Sequence, residues 1–126
     1  MNKLAASVQF WAEPEIIAAV PKEDFSPRPK VNSVIVGLKT RIAEHATKES
    51  GDNYYRAVRA LFRQPRKTIL NNLFAAAADF LGDANERKPS RDVISKKLTA
   101  ALINPGDRPA NLGREKILKI SRAFFE

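Results

Sequence analysis

The sequence predicts an α+β fold in which strands come first and a group of helices follows. Residues 31–39, VNSVIVGLK, are rich in β-branched and apolar side chains, as in a strand that is covered on both faces. After residue 53 the apolar residues instead recur at helical spacing. Charge divides in the same way: residues 1–47 carry six basic and five acidic residues (+1), and residues 48–126 carry sixteen and nine (+7), which together give the net +8. We therefore predict a β part over 1–47 and a basic helical domain over 48–126.

The β part is predicted to contain two strands. We predict a strand over residues 4–13, a short extended or helical connector over Glu15 to Pro21, and the last strand over residues 31–39. Residues 40–53 are polar and end in Gly51-Asp52-Asn53, which indicates a linker that ends at a helix N-cap.

Four helices are predicted in the remainder. An apolar stripe formed by Tyr54, Ala57, Val58, Leu61 and Phe62 marks the first, and the second runs from about Arg66 to Leu81 before Gly82. Ser90 is the predicted N-cap of a third helix, whose inward residues are Val93, Ile94, Leu98 and Leu102. Gly113 precedes a fourth helix that buries Ile117, Ile120, Ser121 and Phe124.

A run of positive charge lies at the start of the helical part. Between Tyr54 and Leu73 there are five basic residues and no acidic one: Arg56, Arg59, Arg63, Arg66 and Lys67. A merely solvated helix face usually interleaves both signs, and the planar guanidinium of Arg suits phosphate, so the run favours a nucleic-acid backbone. The alternative is a solubilising face paired with carboxylates elsewhere. Asn71 and Asn72, mid-helix, are predicted either to bond backbone between helices or to contact RNA.

The loop before the last strand, FSPRPKVNS over residues 25–33, joins an aromatic residue to a rigid Pro-x-Pro turn. Pro27 and Pro29 fix their own φ and push the preceding residues toward extended backbone, so the loop is stiff. Phe25 is therefore either a plug under the sheet or a base-stacking side chain, and Lys30 is either solvated or in reach of phosphate.

Several functional classes are excluded or disfavoured by composition. There are no cysteines and one histidine, so we expect no disulfide and no metal site. No apolar run is long enough to span a bilayer and no signal peptide is evident, so we expect a soluble, cytoplasmic protein that does not bind membranes. The five glycines are dispersed, so no Gly-rich dinucleotide-type turn can form.

Four segments in the same order resemble the ribosomal RNA small-subunit adenine dimethyltransferases: residues 4–13, 25–39, 54–73 and 104–125. The resemblance implies a class I, Rossmann-like methyltransferase sheet followed by an rRNA-binding helical domain, and transfer of methyl groups from S-adenosylmethionine to adenine N6. It implies a target-base pocket formed by Phe25, Pro27, Pro29 and Lys30. It implies rRNA contacts by Arg56, Arg59, Arg63, Arg66, Lys67, Asn71 and Asn72, with small-subunit rRNA or the small ribosomal subunit as partner.

The family's Gly-rich cofactor turn, acidic ribose partner and Asn-Leu-Pro-Tyr type motif have no counterpart in this sequence. The chain therefore resembles the C-terminal half only, and we expect it to hold neither catalytic residues nor cofactor by itself. A complementary N-terminal half is one expected partner, and self-association through the open edge of the last strand is another. Two alternatives stay open: a non-catalytic ribosome-assembly module that has lost the catalytic half, and a DNA-binding relative.

Overall fold

A β-hairpin follows a short helix and precedes the longer helical part of the chain. The computed structural model describes residues 1–41, 47–77 and 89–126. Its helices and strands are α1 (Lys3–Trp11), β1 (Ala12–Val20), β2 (Ser33–Thr40), α2 (Lys48–Leu61), α3 (Ile69–Ala75), α4 (Arg91–Ala100) and α5 (Arg114–Phe124). Short 3₁₀ turns lie at Lys22–Asp24 and Pro109–Asn111. The predicted α+β class is confirmed, with a small two-stranded sheet in the described residues.

The first element is a helix, so the strand predicted over residues 4–13 is wrong. Its N-cap is Asn2, whose side-chain oxygen accepts a hydrogen bond from the N–H of Ala5 at 2.9 Å. Ala6 and Phe10, four residues apart, form its buried face. Alanine is a strong helix former, and this spacing suits a helix better than a strand.

The strand that precedes β2 is β1, which includes most of the predicted connector. The two strands pair antiparallel from Ala12↔Thr40 to Val20↔Ser33, with a bulge at Ile17. Gly37 pairs with Glu15 beside the bulge, and a Cβ added to it would stand 2.7 Å from the Ile17 Cδ1 atom. Because Gly37 has no side chain, the Ile17 side chain has room to pack against it.

The predicted last strand is confirmed, with bounds Ser33–Thr40, but its expected burial on both faces is wrong. Val34 and Ile35, which point to opposite faces, are each 51% exposed. An apolar composition indicates that a strand is suited to burial. Burial itself requires a second layer of structure, and the described part of this chain places no such layer over the hairpin.

Helix α2 begins earlier than predicted, because Thr47 rather than a residue near Gly51 is the N-cap. The Thr47 hydroxyl accepts a hydrogen bond from the N–H of Ser50 at 3.1 Å. Gly51-Asp52-Asn53 therefore lies inside the helix, and the linker prediction fails there; residues 42–46 lie outside the described residues. Gly51 lets the Trp11 ring pack closely, 3.1 Å from an added Cβ. The predicted apolar stripe from Tyr54 to Phe62 is buried.

Helices α3 to α5 agree with the prediction in part. The described portion of the second predicted helix is α3, and Phe80, Leu81 and Gly82 lie outside the described residues. Ser90 caps α4 and Gly113 precedes α5, as predicted, and the inward residues of α5 are buried. In α4, Ile94 and Leu98 are buried, whereas Val93 and Leu102 are exposed, so their inward assignment is wrong. Ile103, the next residue, is buried in place of Leu102.

One hydrophobic core joins α1 to the later helices. Ala6 and Phe10 of α1 contribute to the same buried cluster as Tyr54 and Leu61 of α2 and Ile117 of α5. The Tyr54 hydroxyl donates a hydrogen bond to the Ala6 carbonyl at 2.7 Å. The division of the chain into residues 1–47 and 48–126 remains a prediction. The contacts described here join α1 to the helices that follow residue 47.

Candidate nucleic-acid interface

Three arginines of α2 line one groove on the protein surface. Arg56, Arg59 and Arg63 are spaced three and four residues apart, so they project from the same face of the helix. They surround a depression of about 430 Å³, whose other lining residues are Ala60 and Ala76. Both alanines are nearly buried, so the groove has an apolar floor between α2 and the end of α3 and a cationic rim.

Aromatic packing orients the first of these arginines. The Arg56 guanidinium carbon lies 5.3 Å from the centroid of the Phe125 ring, and its Nη1 lies 3.5 Å from the Asn53 side-chain oxygen. Among the described residues the one salt bridge joins Arg114 to Glu115, so carboxylates in those ranges do not pair with Arg59 or Arg63. The alternative of a carboxylate-paired solubilising face finds no support there.

The turn that carries Arg66 and Lys67 is held by Asn72. The Asn72 amide donates to the carbonyls of Gln64 and Thr68 at 3.0 and 3.1 Å, and its oxygen accepts from the N–H of Gln64 at 3.0 Å. The side chain is 2% exposed. Buried, fully bonded amides fix backbone, so these contacts favour the structural one of the two roles predicted for this residue. Arg66 and Lys67 themselves are exposed.

Asn71 has a different environment. Its side-chain oxygen accepts a hydrogen bond from Arg91 Nη1, and the Arg91 guanidinium carbon lies 4.3 Å from the Phe74 ring centroid. These contacts join α3 to the start of α4. The asparagine pair therefore connects the basic turn on one side and the next helix on the other.

The tip of the hairpin carries the residues predicted to form a base pocket. Phe25 is 42% exposed, and its N–H donates to the Lys22 carbonyl at 3.3 Å. The Asn32 side chain closes the loop by accepting from the N–H of Lys22 at 3.0 Å. Pro29 is half-buried, whereas Pro27 and Lys30 are exposed, and the Ser26–Pro27 peptide bond is cis. None of these residues lines the arginine groove, so tip and groove are two separate candidate sites.

Two arginines that the sequence reading overlooked meet at the root of the hairpin. Nε of Arg41 and Nε of Arg114 donate to the same carbonyl, that of Gln9, at 3.1 and 2.9 Å. This carbonyl belongs to the last turn of α1, where the helix dipole favours positive charge. The two residues are far apart in sequence, so no local spacing could have indicated that they meet.

Among the described residues, Tyr54 is the titratable group with a clearly altered pKa. Burial raises the pKa of its phenol to about 12, because the phenolate would be poorly solvated. Arg114 and Arg41 act in the opposite direction on this pKa, as cations near a potential anion. In the described ranges, no cluster of His, Cys, Asp or Glu is suited to a metal ion. In those same ranges the search for helices long and apolar enough to cross a bilayer finds none.

The fold is shared with part of a solved methyltransferase structure. A crystal structure entitled 23S rRNA methyltransferase ErmE superposes with a TM-score of 0.67 over 99% of this chain and 46% of that one, at 21% sequence identity. The chain belongs to the ribosomal RNA adenine dimethylase family, whose model matches residues 1–103.

Named relatives agree with this assignment. Ribosomal RNA small subunit methyltransferase A of Moorella thermoacetica is 35% identical over 96% of this chain, and that of Geobacillus thermodenitrificans is 32% identical over 98%. The chain spans 38% and 40% of the length of these two relatives. The family resemblance drawn from the sequence is thereby confirmed.

Proposed function

We propose that this chain is the rRNA-binding C-terminal portion of an rRNA adenine N6-dimethyltransferase. The observation that carries the proposal is the groove between α2 and α3, where Arg56, Arg59 and Arg63 surround an apolar floor. Guanidinium groups on one face of a helix concentrate positive charge that attracts a nucleic-acid backbone, and each can donate paired hydrogen bonds to phosphate. The family membership supports rRNA as the substrate class, and the relatives named small subunit methyltransferase A support rRNA of the small subunit.

In this proposal the hairpin tip is the part that meets the target base. The exposure of Phe25 supports stacking on an extruded adenine, with Pro27 and Pro29 stiffening the loop and Lys30 near phosphate. Stacking on one base contributes about 1–3 kcal/mol, so Phe25→Ala in the complete enzyme lowers methylation about ten-fold or more. Unfolding of that variant would instead support the role of a plug under the sheet.

S-adenosylmethionine supplies the methyl group in the reaction that the family membership suggests. Such a cofactor requires close approach to backbone at a Gly-rich turn. Three described glycines receive this chain's own side chains instead: Gly37 faces Ile17, Gly51 faces Trp11 and Gly106 faces Asn104. The fourth described glycine, Gly113, has open space around it but stands alone in the sequence. In this proposal the described residues therefore offer no Gly-rich turn to the cofactor, and no transfer step is assigned to them. Isothermal titration with S-adenosylmethionine should give no heat of binding, and micromolar affinity would contradict this.

In this proposal, the cofactor and the rest of a class I sheet belong to the part of the relatives that this chain does not span. The exposed apolar faces of β1 and β2 support this, because a covering layer would bury Ile16, Val34 and Ile35. A complementary N-terminal half is therefore the proposed partner of the hairpin.

Salt-dependent binding to a small-subunit rRNA fragment tests the groove. The triple variant Arg56→Gln, Arg59→Gln, Arg63→Gln should bind more weakly, and its log K against log salt slope should shrink by about 0.9 per lost duplex-phosphate contact, or about 0.7 for single strands. The matched control removes three exposed cations outside the groove and the hairpin tip: Lys3→Gln, Lys39→Gln and Lys48→Gln.

The salt slope of the triple arginine variant is compared with that of the triple lysine control. Equal slopes for both triple variants would mean that the arginines supply only overall charge, which would overturn the groove as an RNA site. Competition by duplex DNA of equal length at fixed salt separates an rRNA module from a general nucleic-acid binder: equal competition by the DNA would contradict the proposal.

A further inference from the structure

The end of α4 has an unusual backbone geometry. Ile103 N–H bonds to the Leu98 carbonyl at 2.9 Å, and Leu102 N–H bonds to the Thr99 carbonyl at 3.0 Å, which together form a Schellman motif. The residue in the left-handed position of this motif is Leu102, with φ 61°. That position is normally taken by glycine, because a Cβ there is strained. Within the described residues, Leu102 is the one non-glycine residue with positive φ.

The strained side chain is also the most exposed large apolar side chain in the described residues, at 82%. Leu102 therefore combines backbone strain with an apolar surface that contributes no packing. Observed strain of this kind often accompanies a functional contact. Ile103, immediately after it, makes the inward contact of the motif and is 1% exposed.

Leu102 stands at a shallow surface depression of about 430 Å³ with a distinct composition. Ala100, Ala101 and Ala123 line it with small apolar surface, and its two remaining residues are Lys119 and Arg122 of α5. No carboxylate lines it. A flat alanine floor offers no pocket for a protein anchor, whereas one protruding apolar side chain between two cations suits a base flanked by phosphates.

This surface, which we call the Leu102 patch, is linked to the arginine groove through the C-terminal end of α5. Its residues Arg122 and Ala123 lie in the last turn of α5, and the next residue but one is Phe125, whose ring packs under Arg56 of the groove. The C-terminal turn of α5 thus connects two cationic surfaces.

We infer that the Leu102 patch is a second RNA-binding site, which takes an unpaired nucleotide of structured rRNA. Leu102 contacts the face of the base, and Lys119 and Arg122 contact the flanking phosphates. This inference rests on the proposed function and extends it from the groove on α2 to the far side of α5. The strain at Leu102 is retained because glycine, which would relieve it, has no side chain to contact the base.

Replacement of Leu102 tests the inference through two quantities that should move in opposite directions. Leu102→Gly removes strain and no packing, so Tm should rise by about 4 °C. Affinity for the small-subunit rRNA fragment should fall about 3- to 10-fold. Leu102→Asn, which also tolerates the left-handed conformation, should behave in the same way, whereas Leu102→Met should bind within about two-fold of the parent.

Other variants separate this site from the groove. Lys119→Gln with Arg122→Gln should reduce the salt slope by about 0.7 per contact for single-stranded RNA, and the triple arginine variant is measured beside them. If the arginine variant weakens binding while Leu102→Gly and the double variant leave it unchanged, the Leu102 patch is not an RNA site although the proposed function stands. If none of them changes binding, both fail.

Two further results would overturn the inference. A fall in Tm for Leu102→Gly would show that the side chain is packed in solution. Loss of binding to assembled small subunits, with naked rRNA affinity unchanged, would assign the patch to a ribosomal protein instead.

Discussion

The hairpin and the helical part of this protein contain similar apolar side chains but use them differently. Ile94 of α4 is completely buried, whereas Ile35 of β2 is half exposed. The buried cluster includes Ala6, Phe10 and residues from Tyr54 onward, and no residue of the β-hairpin. The helices bury their apolar faces against one another, whereas the hairpin has two faces and, in the described residues, no second layer. Apolar side chains in one part of a chain can therefore be buried by their own neighbours, whereas those in another part stay exposed until a partner covers them.

The two edges of the hairpin differ as well. Pro14 and the bulge at Ile17 lie in β1, and both features hinder pairing with a further strand. Strand β2 contains neither a proline nor the bulged residue between Ser33 and Thr40. In the described residues β2 is therefore the edge better suited to accept another strand, and association through it stays a prediction.

The largest expected effect comes from removal of the hairpin. Because Ala12 and Thr40 are paired across the root of the sheet, an Asn-Gly turn can join them in place of residues 13–39. We expect the whole chain to self-associate through β2 and the shortened chain to sediment as a monomer with its helical circular dichroism retained. Val36→Lys should weaken association without excision. A whole chain that stays monomeric at high concentration would show that its edge is closed in another way.

One substitution made in both regions measures the difference in packing. Ile94→Ala should reduce the free energy of unfolding by about 2–5 kcal/mol, because it leaves a cavity in the helical core. Ile35→Ala should cost less than about 1 kcal/mol, since its side chain is already half in water. Urea unfolding measures both. Equal losses would indicate that the hairpin is covered in solution, and dilution would then reveal whether a second copy covers it.

The joint between α1 and α2 should give a smaller effect that depends on pH. The pKa of Tyr54 is raised from 10.0 to about 12, so the folded state keeps this proton after the unfolded state has lost it. The stabilisation is complete below pH 10 and declines between pH 10 and 12, by at most about 3 kcal/mol. Tyr54→Phe should remove this pH dependence, and Tyr55→Phe should retain it. The urea midpoint at each pH supplies the measurement; an unchanged slope in Tyr54→Phe would contradict the assignment.

Local signals in the sequence predicted most of the helical part. The N-cap at Ser90, the start of α5 after Gly113 and the buried stripe of α2 follow from side-chain hydrogen bonding and from helical periodicity. The grouping of Arg56, Arg59 and Arg63 on one face follows from their spacing alone. These features depend on residues within one or two turns of each other, so the sequence contains the information needed to predict them.

Tertiary structure decided what depends on distant partners. Residues 4–11 are helical because Ala6 and Phe10 pack against α2, while the segment from Ala12 to Val20 is a strand because β2 pairs with it. The meeting of Arg41 and Arg114 at one carbonyl, and the outward position of Leu102 beside the inward Ile103, likewise have no local signature. Burial and strand pairing each require two segments in contact. The sequence of one segment does not show which other segment it will contact.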